Sequence, residues 1–88
     1  MRIDKFLKIS RVVKRRTEAK SACENNCVKI NDRIAKAGDT IRIFDTIEIG
    51  FRHKILEIEV LKIPEGNVPV SSATQLYRII KEEKINFD

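Results

Sequence analysis

Residues 2–20, RIDKFLKISRVVKRRTEAK, constrain this chain most. They hold eight basic side chains (Arg2, Lys5, Lys8, Arg11, Lys14, Arg15, Arg16 and Lys20) against two acids, Asp4 and Glu18. Ile3, Phe6, Leu7, Ile9, Val12 and Val13 are threaded between the charges. Only a thin apolar stripe can therefore turn inward. Ile3, Phe6 and Leu7 fall at helical spacing, which predicts a short helix with Lys5 and Lys8 outside and Phe6 in the core. Lys14-Arg15-Arg16 repel one another, so folding gains nothing from them directly. Their use is contact with an anion, and a basic surface of this kind suits a phosphate-rich partner.

The charge is as uneven as that stretch suggests. Residues 1–36 contain eleven Lys or Arg against four Asp or Glu, whereas residues 37–88 contain seven against nine. Eighty-eight residues make one domain, and 42% hydrophobic residues are too many for a disordered basic tail. No apolar run approaches the roughly 20 residues of a membrane span, and no signal-peptide core follows the charged start. The expectation is a cytoplasmic protein without membrane contact.

Cys23 and Cys27 are the only cysteines and His53 the only histidine. A structural zinc site needs four ligands, so two small buried free thiols are expected, with no metal or cofactor. No Ser/His/Asp or Cys/His set appears, and the chain is not expected to be an enzyme.

Along the chain, Asp4 is placed as the cap of the first helix and Thr17 as the cap of a second, with Asn26 as its left-handed terminator. Ala19, Ala22 and Cys23 allow the two helices close approach. Val28-Lys29-Ile30 reads as a strand, Asn31-Asp32 as a tight turn, and 33–36 as a returning strand or irregular arm. Ile41 and Ile43 alternate with polar neighbours, as do Ile47, Ile49 and Phe51. Residues 55–63 are the longest strand candidate, with Leu56, Ile58 and Val60 on one face. Residues 64–69 are a loop by composition. Ser72 and Gln75 have capping-box spacing before Leu76, Ile79 and Ile80, which predicts a C-terminal helix.

The string Arg2-Ile3-Asp4-Lys5-Phe6-Leu7-Lys8, then Arg11, Lys14-Arg15-Arg16-Thr17, Ala19, Val28-Lys29-Ile30-Asn31 and Lys36 resembles the RNA-binding domain first seen in ribosomal protein S four. The match covers residues 2–50. The short stand-alone bacterial members are the most similar, and the 77–83 tail extends the likeness to nearly the whole chain. Asn26, Asp32 and Phe44 stand where that family usually has glycine.

The resemblance implies an α+β fold: two short N-terminal helices on a small, mainly antiparallel twisted sheet, plus a C-terminal helix. Residues 1–63 would form the RNA-binding domain, with a loop and helix from 64–88 packed on it. It implies RNA contacts at Arg2, Lys5, Arg11, Lys14, Arg15, Arg16 and Lys20, joined by Asn31 and Lys36 from the hairpin, with Asp4 orienting Arg2. It further implies a monomeric ribosome-associated quality-control factor. Its partners would be the rRNA of the large ribosomal subunit, the obstructing peptidyl-tRNA, and a protein that tails the stalled chain at its C-terminus. A heat-shock or ribosome-assembly factor of the same domain type is the nearest alternative. A helix-turn-helix DNA regulator is disfavoured, because Glu18, Ser21 and Glu24 are poor readers of a major groove.

Overall fold

The structure is a computed structural model and describes residues 1–66 and 68–85. Two helices, α1 (Ile3–Ile9) and α2 (Arg16–Glu24), precede strands β1 (Val28–Ile30), β2 (Arg33–Ile34), β3 (Thr46–Gly50) and β4 (Lys54–Val60). A single turn of helix, α3 (Val70–Ala73), runs into a 3-10 turn (Thr74–Leu76) and then β5 (Tyr77–Lys84). The strands form one antiparallel sheet in the order β2-β1-β3-β4-β5. The α+β class and the pair of N-terminal helices are as the residue pattern implies.

The period-2 pattern of β3 and β4 decides which face is buried. Ile47, Ile49, Leu56, Ile58 and Val60 join one cluster with Ile3, Phe6 and Leu7 of α1, Ala19 and Cys23 of α2, and Val28 of β1. Each fully buried large side chain contributes roughly 1.5–3 kcal/mol by leaving water. Glu48, Glu57 and Glu59 lie between them on the other face, half-buried. One face is thus apolar and one polar, as an antiparallel sheet open to solvent on one side requires.

The turns follow from backbone chemistry. Asn26 takes φ 59° just past α2. The Cys27 N–H donates to the Ala22 carbonyl at 2.9 Å and the Asn26 N–H to the Cys23 carbonyl at 3.1 Å. This is a Schellman motif with asparagine in the glycine position. Asn31 and Asp32 have φ 49° and 68°, which makes the β1–β2 connection a type I′ hairpin turn. Phe44, the third glycine substitution, is also left-handed, with φ 74°.

Several expectations are corrected. The C-terminal helix is confined to 70–76, and Tyr77–Lys84 is the longest strand of the sheet. Ile79 and Ile80 are β-branched, and pairing along β4 satisfies backbone groups that a helix would have left at an open edge. Cross-strand ion pairs Arg78–Glu59 (3.0 Å) and Lys54–Glu82 (3.1 Å) fit that pairing. The segment from 64 on therefore completes the sheet; Asn67 of the expected loop and residues 86–88 lie outside the described residues. The 41–43 alternation forms no strand: Ile41 is buried, Ile43 is exposed, and among the described residues the only pairing nearby is an isolated bridge from Thr40 to Arg2. β4 stops at Val60, because the next two N–H groups both turn to the Leu76 carbonyl.

The caps also move. Arg2, Arg15 and Pro69 occupy the N-cap positions, so Asp4, Thr17 and Ser72 lie inside their helices. Cys23 is buried as expected, but Cys27 lies beyond the end of α2 and is exposed.

Candidate nucleic-acid interface

The first N–H groups of α1 lack partners within the helix, as at any helix start. Here three of them find acceptors. The Ile3 N–H donates to the Asp39 carbonyl (2.8 Å) and the Asp4 N–H to the Ala37 carbonyl (3.4 Å), while the Phe6 N–H makes the first bond of the helix itself, to the Arg2 carbonyl (3.0 Å). The Lys5 N–H donates to the Asp4 carboxylate at 2.7 Å. The 36–39 loop is thereby fastened over the helix start, and Asp39 in turn accepts the Lys36 N–H at 2.9 Å.

Asp4 is the hub of the basic surface. It is 2% exposed, yet its carboxylate is fully used. Arg2 grips it with Nε at 3.2 Å from Oδ1 and Nη2 at 3.1 Å from Oδ2, a forked pair. Arg16, from the start of α2, reaches Oδ1 at 3.4 Å. Both arginine side chains remain about half exposed. One buried acid thus holds two guanidinium groups from two different helices side by side with their outer edges open to solvent. Arg2 also lies along the backbone at Gly38, where a β-carbon would stand 3.8 Å from its guanidinium carbon.

Arg2, Asp4, Arg16, Thr17 and Lys20 line a shallow cavity of about 280 Å³. At its rim α2 begins, and among the described residues the Arg16 and Thr17 N–H groups have no protein acceptor. Free N–H groups at a helix start, next to three cations, favour an anion. The start of α2 at Thr17 is where the sequence offers free N–H groups to a phosphate, but the tie from Arg16 to Asp4 goes beyond the residue pattern. That tie joins positions twelve apart, and only tertiary packing creates it.

The remaining expected contact residues are distributed more widely. Lys5 is half-buried beside Asp4, while Lys14 and Arg15 are exposed on the α1–α2 connection. Arg11 terminates α1 in the left-handed region at φ 66° and borders a separate depression with Lys8, Ile9 and Val68. Lys36 is exposed on the docked loop. Asn31 is exposed too, but its amide is committed to the fold. Nδ2 donates to Asp45 at 3.0 Å and Oδ1 accepts the Thr46 N–H at 2.9 Å. Cys23 lies beneath this surface. Burial, and then the charges of Asp4, Asp39 and Glu24, push its thiol up to about 11. No group of three or more potential metal ligands occurs among the described residues.

A pair of short helices carrying clustered cations, docked on a small antiparallel sheet, defines the class. The chain belongs to the S4 domain family, whose model matches residues 1–47. Over nearly its whole length it is also similar to curated proteins named RQC P-site tRNA stabilizing factor. The one from Halalkalibacterium halodurans is 42% identical over 98% of this chain and 97% of its own length. That from Streptococcus pneumoniae is 36% identical over 97% and 96%. Among solved structures, a trimeric Heat Shock Protein 15 from Vibrio cholerae superposes with a TM-score of 0.82 at 30% identity, covering 90% of this chain and 80% of that one.

Proposed function

We propose that this protein is a ribosome-associated quality-control factor that binds folded RNA through the surface organised by Asp4. The observation that carries the reading is the forked Arg2–Asp4–Arg16 arrangement, two immobilised guanidinium groups with open outer edges beside Lys20 and a helix start. A guanidinium fixed in this way binds phosphate in two-point fashion at a low entropy cost. Double-helical RNA is recognised mostly by shape, phosphates and 2′-hydroxyls, which suits a rigid cationic ridge.

On the large ribosomal subunit the RNA partners would be rRNA and the peptidyl-tRNA left by a stall; the relatives' name points to a P-site tRNA. By holding the two together, the protein would give a partner protein time to extend the blocked chain at its C-terminus. The role is one of binding, needs neither catalysis nor a cofactor, and suits a cytoplasmic monomer. Arg11, Lys14, Arg15 and Lys36 would extend the field around the ridge, and Lys5 and the Asn31 turn would border it.

The test is co-sedimentation with purified large subunits. Arg2→Ala and Arg16→Ala should each lose association while circular dichroism reports an intact fold. If four to six phosphates are neutralised, log affinity should fall against log salt with a slope of roughly −3 to −5. Unchanged association in both variants would defeat the reading. The likeness to Heat Shock Protein 15 favours, as a second reading, a heat-shock or assembly factor. It predicts equal affinity for naked rRNA and for subunits carrying tRNA, whereas the quality-control role predicts preference for the latter.

A further inference from the structure

Beside the Asp4 surface lies a larger open groove of about 650 Å³, between the β1–β2 hairpin and residues 39–45. Arg33, Ile34 and Arg42 are exposed along it. It adjoins the first surface, because Thr40 lines it and is bridged through the backbone to Arg2. Its two acids are occupied: Asp39 accepts the Lys36 N–H, and Asp45 accepts the Asn31 amide and, at 2.8 Å, the Arg42 N–H. Neither the Arg33 nor the Arg42 guanidinium has an ion-pair partner among the described residues.

Phe44 follows directly. It is 71% exposed and left-handed at φ 74°, an uncommon conformation for a bulky side chain. Its backbone cannot drift, since its N–H donates to the Val60 carbonyl at 2.7 Å and the Asp45 N–H to the Arg42 carbonyl at 3.1 Å. Glycine would remove both the strain and the exposed ring. Phe44 lies in the turn closed by that Asp45–Arg42 bond, between Arg42 and Asp45, which both line the groove. A strained, exposed aromatic held rigidly in the same turn as an unpaired arginine has the equipment of a stacking platform.

We infer that Phe44, Arg42 and Arg33 form a subsite for a short unpaired segment of RNA, with a base stacked on the Phe44 ring and its phosphates at the two guanidinium groups. The inference rests on the RNA-binding reading above and gives it a second mode of contact. The Asp4 surface grips helical backbone, and this groove takes a base displaced from the stack, as RNA-binding surfaces do where loops and bulges present one. The lining is too polar for an apolar peptide, since Ile30 and Ile34 share it with two arginines, two aspartates, Asn31 and Thr40.

The experiment measures binding of purified large ribosomal subunits by wild type, Phe44→Gly, Arg42→Ala, Arg2→Ala and Arg16→Ala across a salt series, with a thermal melt of each variant. Phe44→Gly is expected to melt higher yet bind about 5- to 100-fold more weakly, with an unchanged salt slope, since stacking carries no charge. Arg42→Ala should weaken binding and reduce the slope by about one. Ultraviolet cross-linking of the wild-type complex should place nucleotide adducts within residues 42–44. A stabilised Phe44→Gly that binds like wild type, while Arg2→Ala is lost, overturns this subsite alone. Intact binding by both Arg2→Ala and Arg16→Ala overturns the underlying reading.

Discussion

Replacing Asp4 by asparagine sets two physical effects against each other. The side chain keeps its shape, and its carbonyl oxygen can still accept the Lys5 N–H. The protein gains one net positive charge. If the basic surface worked only through its field, RNA would bind more tightly. At an effective dielectric near that of water, a unit charge about 5 Å from a phosphate is worth just under 1 kcal/mol, and salt reduces it further. The structure predicts the opposite outcome. Asp4 immobilises Arg2 by a forked pair and Arg16 by a third contact, and both arginine side chains are otherwise half in solvent. Releasing two such side chains means each must be ordered again on binding, at about 0.5–1.5 kcal/mol apiece. The two guanidinium groups, no longer held by a common anion, would also separate. The net expectation is a loss of about 1–2 kcal/mol, or roughly 5- to 30-fold in affinity for large subunits. The fold should suffer too. The half-exposed ion pairs are lost and the Lys5 N–H bond becomes a neutral one, together about 1–2 kcal/mol, or a fall in Tm of roughly 4–15 °C. The assay is subunit co-sedimentation at 10 °C, where the variant remains folded, paired with a melt by circular dichroism. An Asp4→Asn protein that binds as tightly as wild type, or more tightly, would refute positioning by Asp4.

Asn26→Gly should stabilise the protein by a few tenths to about 1 kcal/mol, because φ 59° costs glycine nothing; Asn26→Val should destabilise it, and urea unfolding midpoints will show both. Phe6→Ala should cost about 3–5 kcal/mol, enough to unfold much of the population at 37 °C by circular dichroism. At pH 8 iodoacetamide should modify Cys27 rapidly and Cys23 only as the protein opens, which mass mapping will distinguish. Raising the Cys23 pKa from its ordinary 9.0 to about 11 favours the protonated thiol in the folded state. Below pH 9 it leaves stability unaffected, and between pH 9 and 11 the unfolded thiolate forms first, so stability falls; Cys23→Ala should flatten that part of the stability profile and Cys27→Ala should not.

What the residue order determined by itself was local. Apolar spacing in α1, alternation in β3 and β4, and asparagine or aspartate at the tight turns each depend on neighbours a few positions away. Each appears in the structure where the pattern places it. The concentration of positive charge at the amino end is equally a property of the order alone. The tertiary structure decided matters that depend on what lies opposite. Leu76, Ile79 and Ile80 form a helical stripe, yet Ile79 and Ile80 are β-branched, and the open edge of β4 resolved the ambiguity of 77–84 in favour of a strand. Asp4 has a local signature as a cap, but its burial and its hold on Arg16 exist only because α2 folds back against α1. Asn31 sits in a stretch matching the family, yet Asp45, fourteen positions on, claims its amide. Backbone preferences are short-ranged and legible along the chain; the pairing of a buried charge or an open strand edge is settled by partners the chain brings together from a distance.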